Sequence, residues 1–360
     1  MSLMNNKAVF SDKNKKQKVF CFGELLLRMS PSLGRQWIYS NQMPVYIGGA
    51  ELNVATALAN WDVPVTYSTA LPQHYLSDEI LEELKSKNIG TDTIHFSGNR
   101  IGTYYLPQGA DLKNAGVIYD RAYSSFWELK PGMIDWDKFL DGCSWFHFSA
   151  ISPALNEIAP AVCEEALRAA KAKGLIISVD LNYRAKLWKY GKEPHEIMPL
   201  LAEYCDVIMG NIWAEEKLLS TPVDNALIEP GKKELYLEHS RRTSLAILDK
   251  FKNCRVVANT FRFDAGDGGI QYYATLNTID AQTVSAEFSI GKVVDKIGSG
   301  DCFMAGLIYG LYHEHTPASV INFAAAAAFG KLQEKADATS QKVENVNETL
   351  KKYGSAGLHH

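Results

Sequence analysis

The sequence predicts an α/β fold in which a mainly parallel central sheet carries helices on both faces. The main observation is that short apolar runs alternate with segments of helical periodicity, an order typical of such sheets. The second observation is the length, because 360 residues can bury a core large enough for one big α/β domain or two smaller ones. In open sheets of this kind, ligands bind beyond the carboxyl ends of the strands.

The first elements follow directly from the pattern. KVFCFG (18–23) is a short apolar run that ends in glycine and predicts a buried strand; AELNVATALANW (50–61) predicts a helix and VTYSTAL (65–71) a strand. LSDEILEELKSKNI (76–89) predicts an amphipathic helix. The alternation then resumes with strand 143–149, helix 157–174, strand 175–182, helix 195–205 and strand 206–211. Strands with turns are predicted over 254–292, and helices over 301–313, 317–335 and 343–353.

Two β-rich, aromatic stretches interrupt this order. They are MPVYIGG (43–49) and the segment 100–123, both bounded by Gly, Pro or Asn. They predict strands outside the main sheet that form either a lid or an oligomer surface.

Composition excludes several classes of protein. Hydrophobic residues make up 46% and charged residues 22%, as in ordinary globular proteins, and the net charge of −4 is too balanced for a nucleic-acid binder. The basic run KNKKQK (13–18) is interpreted as a solvated tail. No apolar run approaches the ~20 residues that span a bilayer, so no membrane association is expected.

The cysteines indicate the compartment. Six cysteines occur without a CxxC pair, and no signal peptide is expected before them. They are predicted to be reduced, mostly buried thiols of a cytoplasmic protein.

A glycine-rich turn before an apolar helix, in VVDKIGSGDCFMAGLIYG (293–310), is the most informative motif. Gly298, Ser299 and Gly300 would bare the free N–H groups at a helix N-terminus, where negative charge is favoured. Asp301 would repel a bound anion unless it removes a proton from an attacking hydroxyl. Taken alone, the motif is better explained as a plain helix start, because short glycine motifs are common by chance.

Three further constellations contain polar groups suited to a ligand. Gly48 and Gly49 precede a helix whose first turns carry Asn53, with a capped strand-to-helix turn as the alternative. Asp180, Asn182 and Arg184 follow a buried strand, where a ligand is expected.

The third constellation lies in the supposed lid, at Tyr104 and at Tyr119 and Arg121. Strand alternation places Tyr119 and Arg121 on one side, where they could grip a carboxylate or sugar hydroxyls. A solvated arginine over an aromatic ring is an equally weighted alternative.

With these segments in this order, the chain resembles the ribokinase-like (PfkB) carbohydrate kinases over about residues 18–335. GGAELNVATALA is similar to the N-terminal signature of that family and DKIGSGDCFMAG to its C-terminal signature. GELLLRMSP, NRIGTYYL, VIYDRAYS, WFHFSAISP and VDLNYRAKLW resemble the 2-keto-3-deoxygluconate kinases. The resemblance implies a three-layer α/β/α kinase domain (18–335) with a β-lid at about 34–48 and 99–125. An N-terminal tail (1–17) and a C-terminal helix and tail (336–360) would flank it.

The resemblance also implies an ATP- and Mg²⁺-dependent sugar kinase. Asp301 would be the general base, and the backbone of Gly298, Ser299 and Gly300 the anion hole for the transferred phosphoryl group. The sugar would contact residues that match family positions: Gly48, Gly49, Asn53, Tyr104, Tyr119, Arg121 and Arg184. Lids often pair between subunits in relatives, so a homodimer or a dimer of dimers is expected.

The chain departs from the family pattern at the nucleotide end. In GNIWAEEK, Asn211 is retained, but Ala214 stands where an acid helps to organise Mg²⁺. Glu215, one place later, is expected in the magnesium environment instead. Thr260 matches the nucleotide loop of the family, but Arg262 stands where a glycine is common. EKADATS lacks the glycine usual in the adenine-side loop, and Asn322 is expected beside the adenine. Asp295 matches a position that binds a monovalent cation (K⁺) in some relatives, with a structural role at the strand end as the alternative.

The predicted substrate is 2-keto-3-deoxygluconate, phosphorylated on its terminal hydroxyl. Two convergent arginines would have no anion to pair with on a neutral hexose, whereas a keto acid supplies one. A kinase of fructose or another neutral sugar is the alternative within the fold. A sugar-binding sensor without catalysis is the alternative from another class.

Overall fold

The computed structural model describes residues 8–10, 17–31, 39, 41–107, 116–224, 227, 233–264 and 268–354. The predicted lid segments 34–48 and 99–125 therefore lie in part outside the described residues. The same holds for parts of the predicted N-terminal tail (1–17) and C-terminal segment (336–360). The proposed domain boundaries stay a prediction.

The strands are β1 (Lys18–Phe22), β2 (Leu26–Met29), β3 (Val45–Gly48), β4 (Val65–Ser68), β5 (Ala70–Leu71), β6 (His95–Phe96), β7 (Gly102–Tyr105), β8 (Ile118–Asp120), β9 (Cys143–Ser149), β10 (Ile176–Asp180), β11 (Val207–Gly210), β12 (Val256–Asp264), β13 (Ile270–Asn277), β14 (Gln282–Val284) and β15 (Phe288–Ile290). The α-helices are α1 (Ala50–Asn60), α2 (Tyr75–Ser86), α3 (Trp136–Phe139), α4 (Ala159–Ala172), α5 (Pro194–Ala202), α6 (Ile212–Leu219), α7 (Lys233–Lys250), α8 (Ser299–Tyr312), α9 (Pro317–Lys331) and α10 (Val343–Tyr353).

The main sheet is nine-stranded, with the order β14-β13-β12-β11-β10-β9-β1-β4 and β15 paired to β13. The strands from β12 to β4 along this order run parallel, and β13, β14 and β15 join antiparallel at one edge. The prediction of a mainly parallel sheet is confirmed. The strands expected over 254–292 extend this sheet.

Two hydrophobic cores lie on opposite faces of the main sheet. Along β1, Val19 and Cys21 pack into one core with residues of α1, α8 and α9, whereas Phe20 and Phe22 pack into the other with residues of α4 and α5. Successive side chains of a strand point to opposite faces, so a strand that is apolar at each of these positions must be covered on both sides. The three-layer arrangement follows from that pattern.

A separate four-stranded sheet has the order β3-β2-β7-β8. Its register places Leu26, Tyr104 and Tyr119 together on one face, where they pack against one another. The opposite face carries a row of largely apolar side chains: Leu27, Met29, Val45, Ile47, Tyr105 and Ile118. The expectation of strands outside the main sheet is confirmed.

All six cysteines are buried and free, as predicted. Over the part of the chain that the structure describes, no helix is both long enough and apolar enough to cross a membrane.

Candidate active site

A cleft of about 640 Å³ opens beyond the carboxyl ends of β10 and β11. The last residues of these strands and those that follow them, 180–186 and 210–211, form one wall, and the N-terminus of α8 forms another. Tyr104 and Tyr119 of the small sheet line the remaining side. The cleft therefore lies where the strand topology predicted a ligand.

The turn into α8 is held by a close backbone contact. Gly298 is the N-cap residue, with φ of 74°. A Cβ atom there would collide with the carbonyl oxygen of Asp337, so both the dihedral angle and the space require glycine. The first N–H groups of α8 have no intrahelical acceptor, and Gly298, Ser299 and Gly300 all line the cleft.

Asp301 lies in the first turn of α8 and lines the cleft, although its side chain is only 8% exposed. Asn53 Nδ2 donates to its Oδ2 at 2.7 Å. Burial raises the pKa of the carboxyl from 3.8 to about 6, while the Asn53 hydrogen bond and the Arg184 charge lower it. A carboxylate with this pKa is ionised at neutral pH and still basic enough to take a proton.

Asn53 joins Asp301 to the glycine turn before α1. Its Oδ1 is buried and has no hydrogen-bond partner among the described residues, so it is suited to accept from a hydroxyl of a ligand in the cleft. Gly49 precedes the helix with φ of 146°, and a Cβ there would lie 2.6 Å from the carbonyl oxygen of Glu24. Both the dihedral angle and the limited space therefore require glycine at position 49, as the sequence predicted.

Arg121 lines the cleft but already has an anionic partner. Its Nε and Nη2 lie 2.6 Å and 2.5 Å from Glu24 Oε2, and Ser124 Oγ donates to Glu24 Oε1 at 2.5 Å. The guanidinium lies 5.9 Å from the Tyr119 ring centroid and is 5% exposed, so it is not the solvated arginine of the alternative interpretation. The sequence analysis missed Glu24, which neutralises one of the two arginines in the substrate argument.

Arg184 has no carboxylate partner among the described residues. Its Nη1 donates to the carbonyl oxygen of Tyr183 at 3.1 Å, and the side chain lines the cleft. Its charge lowers the pKa values of Asp180 and Asp301, whereas burial, the largest effect on each, raises them. Arg184 is thus a cation available to an anionic ligand beside two carboxylates.

Asp337, on the turn formed by residues 334–337 (the Asp337 turn), closes the cleft at the small sheet. Tyr104 donates its hydroxyl hydrogen to Asp337 Oδ2 at 2.8 Å. Arg28 Nε lies 2.8 Å from Asp337 Oδ1 in an ionic contact that is not aligned as a hydrogen bond. Tyr104 was expected to contact the sugar. In the structure its hydroxyl donates to the Asp337 carboxylate.

The far end of the cleft is lined by Asn211, Lys217, Thr260 and Arg262. Asn211 caps α6, and its Oδ1 accepts from the Ala214 N–H at 2.9 Å. The half-buried amide of Asn211 and the basic side chains give this end donors suited to a nucleotide.

Four predicted site residues do not line the cleft: Gly48, Glu215, Asp295 and Asn322. Gly48 packs beside the Asp337 carboxylate. Asn322 Oδ1 accepts from the Ala286 N–H at 2.8 Å, which gives it a structural contact. Asp295 Oδ1 accepts from the Ile297 N–H at 3.0 Å, and its Oδ2 lies 3.6 Å from Arg28 Nη1.

Glu215 is fully buried on the sheet side of α6. Its Oε1 accepts from Asn259 Nδ2 at 2.5 Å and its Oε2 from Thr243 Oγ1 at 3.4 Å. Burial raises its pKa from 4.5 to about 8. The expected place of Glu215 in the magnesium environment is not supported, because a protonated carboxyl turned into the core offers no charge to the cleft.

Glu215→Gln should remove a pH-dependent loss of stability. Because the folded-state pKa is raised, the contribution of this carboxyl to wild-type stability is fully present below pH 4.5 and is lost as pH rises through about 8. The glutamine side chain keeps an oxygen that accepts from Asn259 Nδ2 and an amide group that can donate to Thr243 Oγ1. The free energy of unfolding of the variant should therefore match or exceed that of wild type above pH 7. Urea unfolding at pH 5, 7 and 9 measures this effect.

Glu215→Ala is the control for that measurement. It removes the carboxyl acceptor of Asn259 Nδ2, which keeps among the described residues only the longer contact to the Gly210 carbonyl oxygen at 3.2 Å, and it should lose about 1–3 kcal/mol at every pH. A wild-type stability that stays level from pH 5 to 9, together with a destabilised Gln variant, would contradict the raised pKa.

No group of three or more His, Cys, Asp or Glu side chains with metal-binding placement occurs among the described residues. Because Glu215 faces the core, the described residues offer no carboxylate cage for magnesium. This arrangement fits a magnesium ion that is held chiefly by nucleotide phosphates and water.

Residues 16–343 match the family described as pfkB family carbohydrate kinase. A crystal structure of 2-dehydro-3-deoxygluconokinase from Thermotoga maritima is similar to the chain with a TM-score of 0.83 and 33% sequence identity, covering 94% of this chain and 99% of that one. These findings confirm the resemblance and the fold that it implied.

Two curated relatives differ in the substrate that their names give. A 2-dehydro-3-deoxygalactonokinase from Haloferax volcanii is 32% identical over 167 residues, which are 46% of this chain and 52% of that protein. The match thus spans about half the length of the Haloferax protein. Probable fructokinase-6, chloroplastic, from Arabidopsis thaliana is 24% identical over 311 residues, 85% of this chain and 74% of the relative.

Proposed function

Because the chain belongs to the pfkB family of carbohydrate kinases, we propose that it transfers the γ-phosphoryl group of ATP to the terminal hydroxyl of 2-keto-3-deoxygluconate. This sugar acid is the 2-dehydro-3-deoxygluconate named for the Thermotoga relative. The observation that carries the proposal is the placement of the buried Asp301 carboxylate, fixed by Asn53, at the N-terminus of α8 in the cleft.

In the proposed reaction, Asp301 takes the proton of the terminal hydroxyl as the hydroxyl oxygen attacks the γ-phosphorus. The bond from that phosphorus to the β–γ bridging oxygen breaks, and ADP leaves. The N–H groups at residues 298–300 donate to the negative charge that develops on the transferred group. Asn53 orients the carboxylate, and its free Oδ1 accepts from a sugar hydroxyl. Magnesium, when bound with ATP, would neutralise phosphate charge.

The keto-acid carboxylate is assigned to the arginine end of the cleft. Among the described residues, Arg184 has no carboxylate partner and Arg121 Nη1 has no hydrogen-bond acceptor. Glu24 offsets most of the Arg121 charge, so Arg184 is the main source of selectivity for an anionic substrate.

Arg184→Met should therefore lose its preference for the acid. A charge-assisted hydrogen bond is worth about 1.5–3 kcal/mol, so KM for the keto acid should rise roughly 10- to 100-fold. A coupled ADP-release assay with 2-keto-3-deoxygluconate and with fructose, in wild type and variant, measures KM for the keto acid and the preference for it over fructose. Equal or better turnover of fructose by the wild type would contradict the proposed substrate.

Arg121→Met is the matched control. It leaves the Glu24 carboxylate buried without its cation, so the expected effect is a lower unfolding temperature.

Two alternatives remain for the same assay. A kinase of neutral sugars is favoured by the similarity to the Arabidopsis fructokinase and by the pairing of Arg121 with Glu24. A sugar-binding sensor is favoured by the altered Asn211 segment, and binding of the keto acid without phosphorylated product from any sugar would support it.

We also propose that two subunits pair through the outer face of the small sheet. Val45 and Ile118 on that face are 51% and 61% exposed. A dimer of the wild type in light scattering and a monomer for Val45→Lys plus Ile118→Lys are the expected results. A wild-type monomer, or an unchanged dimer of the double variant, would argue against this surface.

A further inference from the structure

Lys331 is a buried cation that lies beside the α8 turn. The proposed reaction gives this side chain no role. It is the last residue of α9, and its side chain is 0% exposed. The ammonium group donates to the carbonyl oxygen of Ala336 at 2.9 Å and to that of Glu334 at 3.5 Å. No carboxylate oxygen of a described residue lies within ion-pair distance of it.

A buried, unpaired ammonium group is costly, so the absence of a carboxylate partner requires a reason. The nearby Glu334 carboxylate is bound by Thr339 Oγ1 and by Ser340, and does not turn to the lysine. Within the part of the chain that the structure describes, the ammonium group contacts only main-chain carbonyl groups. Such groups are the ligands that proteins use for monovalent cations.

The lysine supports the turn that carries the proposed anion hole. Its Cε lies 3.4 Å from the position of a Cβ added at Gly298, and the Asp337 carbonyl packs against the same glycine. Ala336, whose carbonyl binds the ammonium group, has φ of 73°, a conformation that persists only when its surroundings hold it. The carbonyl oxygen of Leu332 also accepts from the Val294 N–H at 2.9 Å, which joins the two segments.

The residues near Asp295 do not fit an exchangeable monovalent cation, contrary to the expectation from the family. Asp295 is engaged by the Ile297 N–H and by Arg28, and the carbonyl oxygens of Glu334 and Ala336 are taken by Lys331. Two fixed cations, Arg28 and Lys331, therefore hold the Asp337 turn and the segment 295–298.

We propose that Lys331 is a built-in monovalent cation that positions the Asp337 turn against Gly298, so that phosphoryl transfer needs no exchangeable K⁺. Lys331 is a positioning residue in this account and touches neither substrate. The inference rests on the proposed role of residues 298–300 as the anion hole.

The first test uses the wild-type full chain with MgATP and the sugar that it turns over fastest. Rates are compared in K⁺, Na⁺ and tetramethylammonium at equal ionic strength. We expect kcat values that agree within about twofold, a difference of less than 1 kcal/mol in the barrier. A kcat at least about tenfold higher in K⁺ than in tetramethylammonium would overturn the proposal.

The second test removes the ammonium group with Lys331→Met. We expect kcat to fall at least about tenfold through misplacement of the turn, with a smaller change in KM for ATP. K⁺ or NH₄⁺ should restore part of the loss, and tetramethylammonium none. A variant that is as active as wild type, or whose loss is equal in K⁺ and tetramethylammonium, overturns the assignment.

Lys250→Met is the matched control, because Lys250 also donates to a carbonyl group, that of Leu219, but does not line the cleft. The kcat of Lys250→Met should be the same in K⁺ and in tetramethylammonium. If no sugar is phosphorylated, the proposed function fails, but the unfolding temperature of Lys331→Met still tests the cation site. A higher midpoint in K⁺ than in tetramethylammonium supports it, and equal midpoints overturn it. If the variant does not fold, the wild-type comparison decides.

Discussion

Asp301→Asn is expected to lower kcat by at least about 10²-fold, within the 10²–10⁴ range for loss of a positioned base. The amide is nearly the same size and can still accept from Asn53 Nδ2, but it cannot take a proton from the attacking hydroxyl. Steady-state rates with saturating MgATP and keto acid measure the loss. The effect should fall on kcat, because the base acts in the transition state.

The same variant should fold at least as well as wild type. Burial raises the pKa of Asp301, which means that the folded state bears a cost for its charge, and the neutral amide removes that cost. Calorimetric binding of ATP and of the sugar acid should be retained. A variant with nearly full kcat would show that another group accepts the proton.

Gly298→Ala is expected to lower kcat by about 10²–10³-fold, the usual loss when one donor of an anion hole is displaced. The added methyl group would collide with the Asp337 carbonyl, and the φ of 74° is itself unfavourable for alanine. Because the neighbour is backbone, the α8 turn or the Asp337 turn must move. The measurement is kcat together with the unfolding temperature, which should also fall.

Gly291→Ala is the matched control, because an added Cβ there has no heavy atom within 4 Å and the residue has no positive φ. It should be silent in both measurements. Wild-type kcat for Gly298→Ala would contradict the proposed role of this turn.

The strand and helix order was readable from the sequence wherever burial imposes a strong period. The strand at 143–149 and the helix at 343–353 have the predicted bounds, because Gly142 precedes the strand and Gly354 follows the helix. The helix Lys233–Lys250 was not predicted, since its buried face mixes Tyr236, His239 and Ser240 with apolar residues. The strand Leu26–Met29 was missed as well, because its pairing in a separate sheet is a tertiary property.

In the candidate site, the glycine turns and Asp301 could be predicted because local backbone chemistry marks them. The partners of the arginines could not, since Glu24 lies far from Arg121 in sequence and no periodicity connects them. The same reason hid Asp337 and Lys331, whose contacts with the α8 turn depend on packing between distant segments. Glu215 was expected near magnesium because it is adjacent in sequence to the position of the family's acid. Neighbouring residues of a helix point in different directions, however, and Glu215 faces the core rather than the cleft.

The proton transfer to Asp301 is tested most directly by the pH dependence of kcat/KM for the sugar acid, with MgATP saturating. The pKa of Asp301 reflects burial and the groups that face it from the surrounding elements: Asn53, Arg184, Asp337, Lys331, Asp180 and Glu51. A raised pKa keeps the base protonated in acid, so activity should be lost as pH falls through about 6, with a slope of one below it. An unchanged rate constant down to pH 4.5 would contradict a base with this pKa.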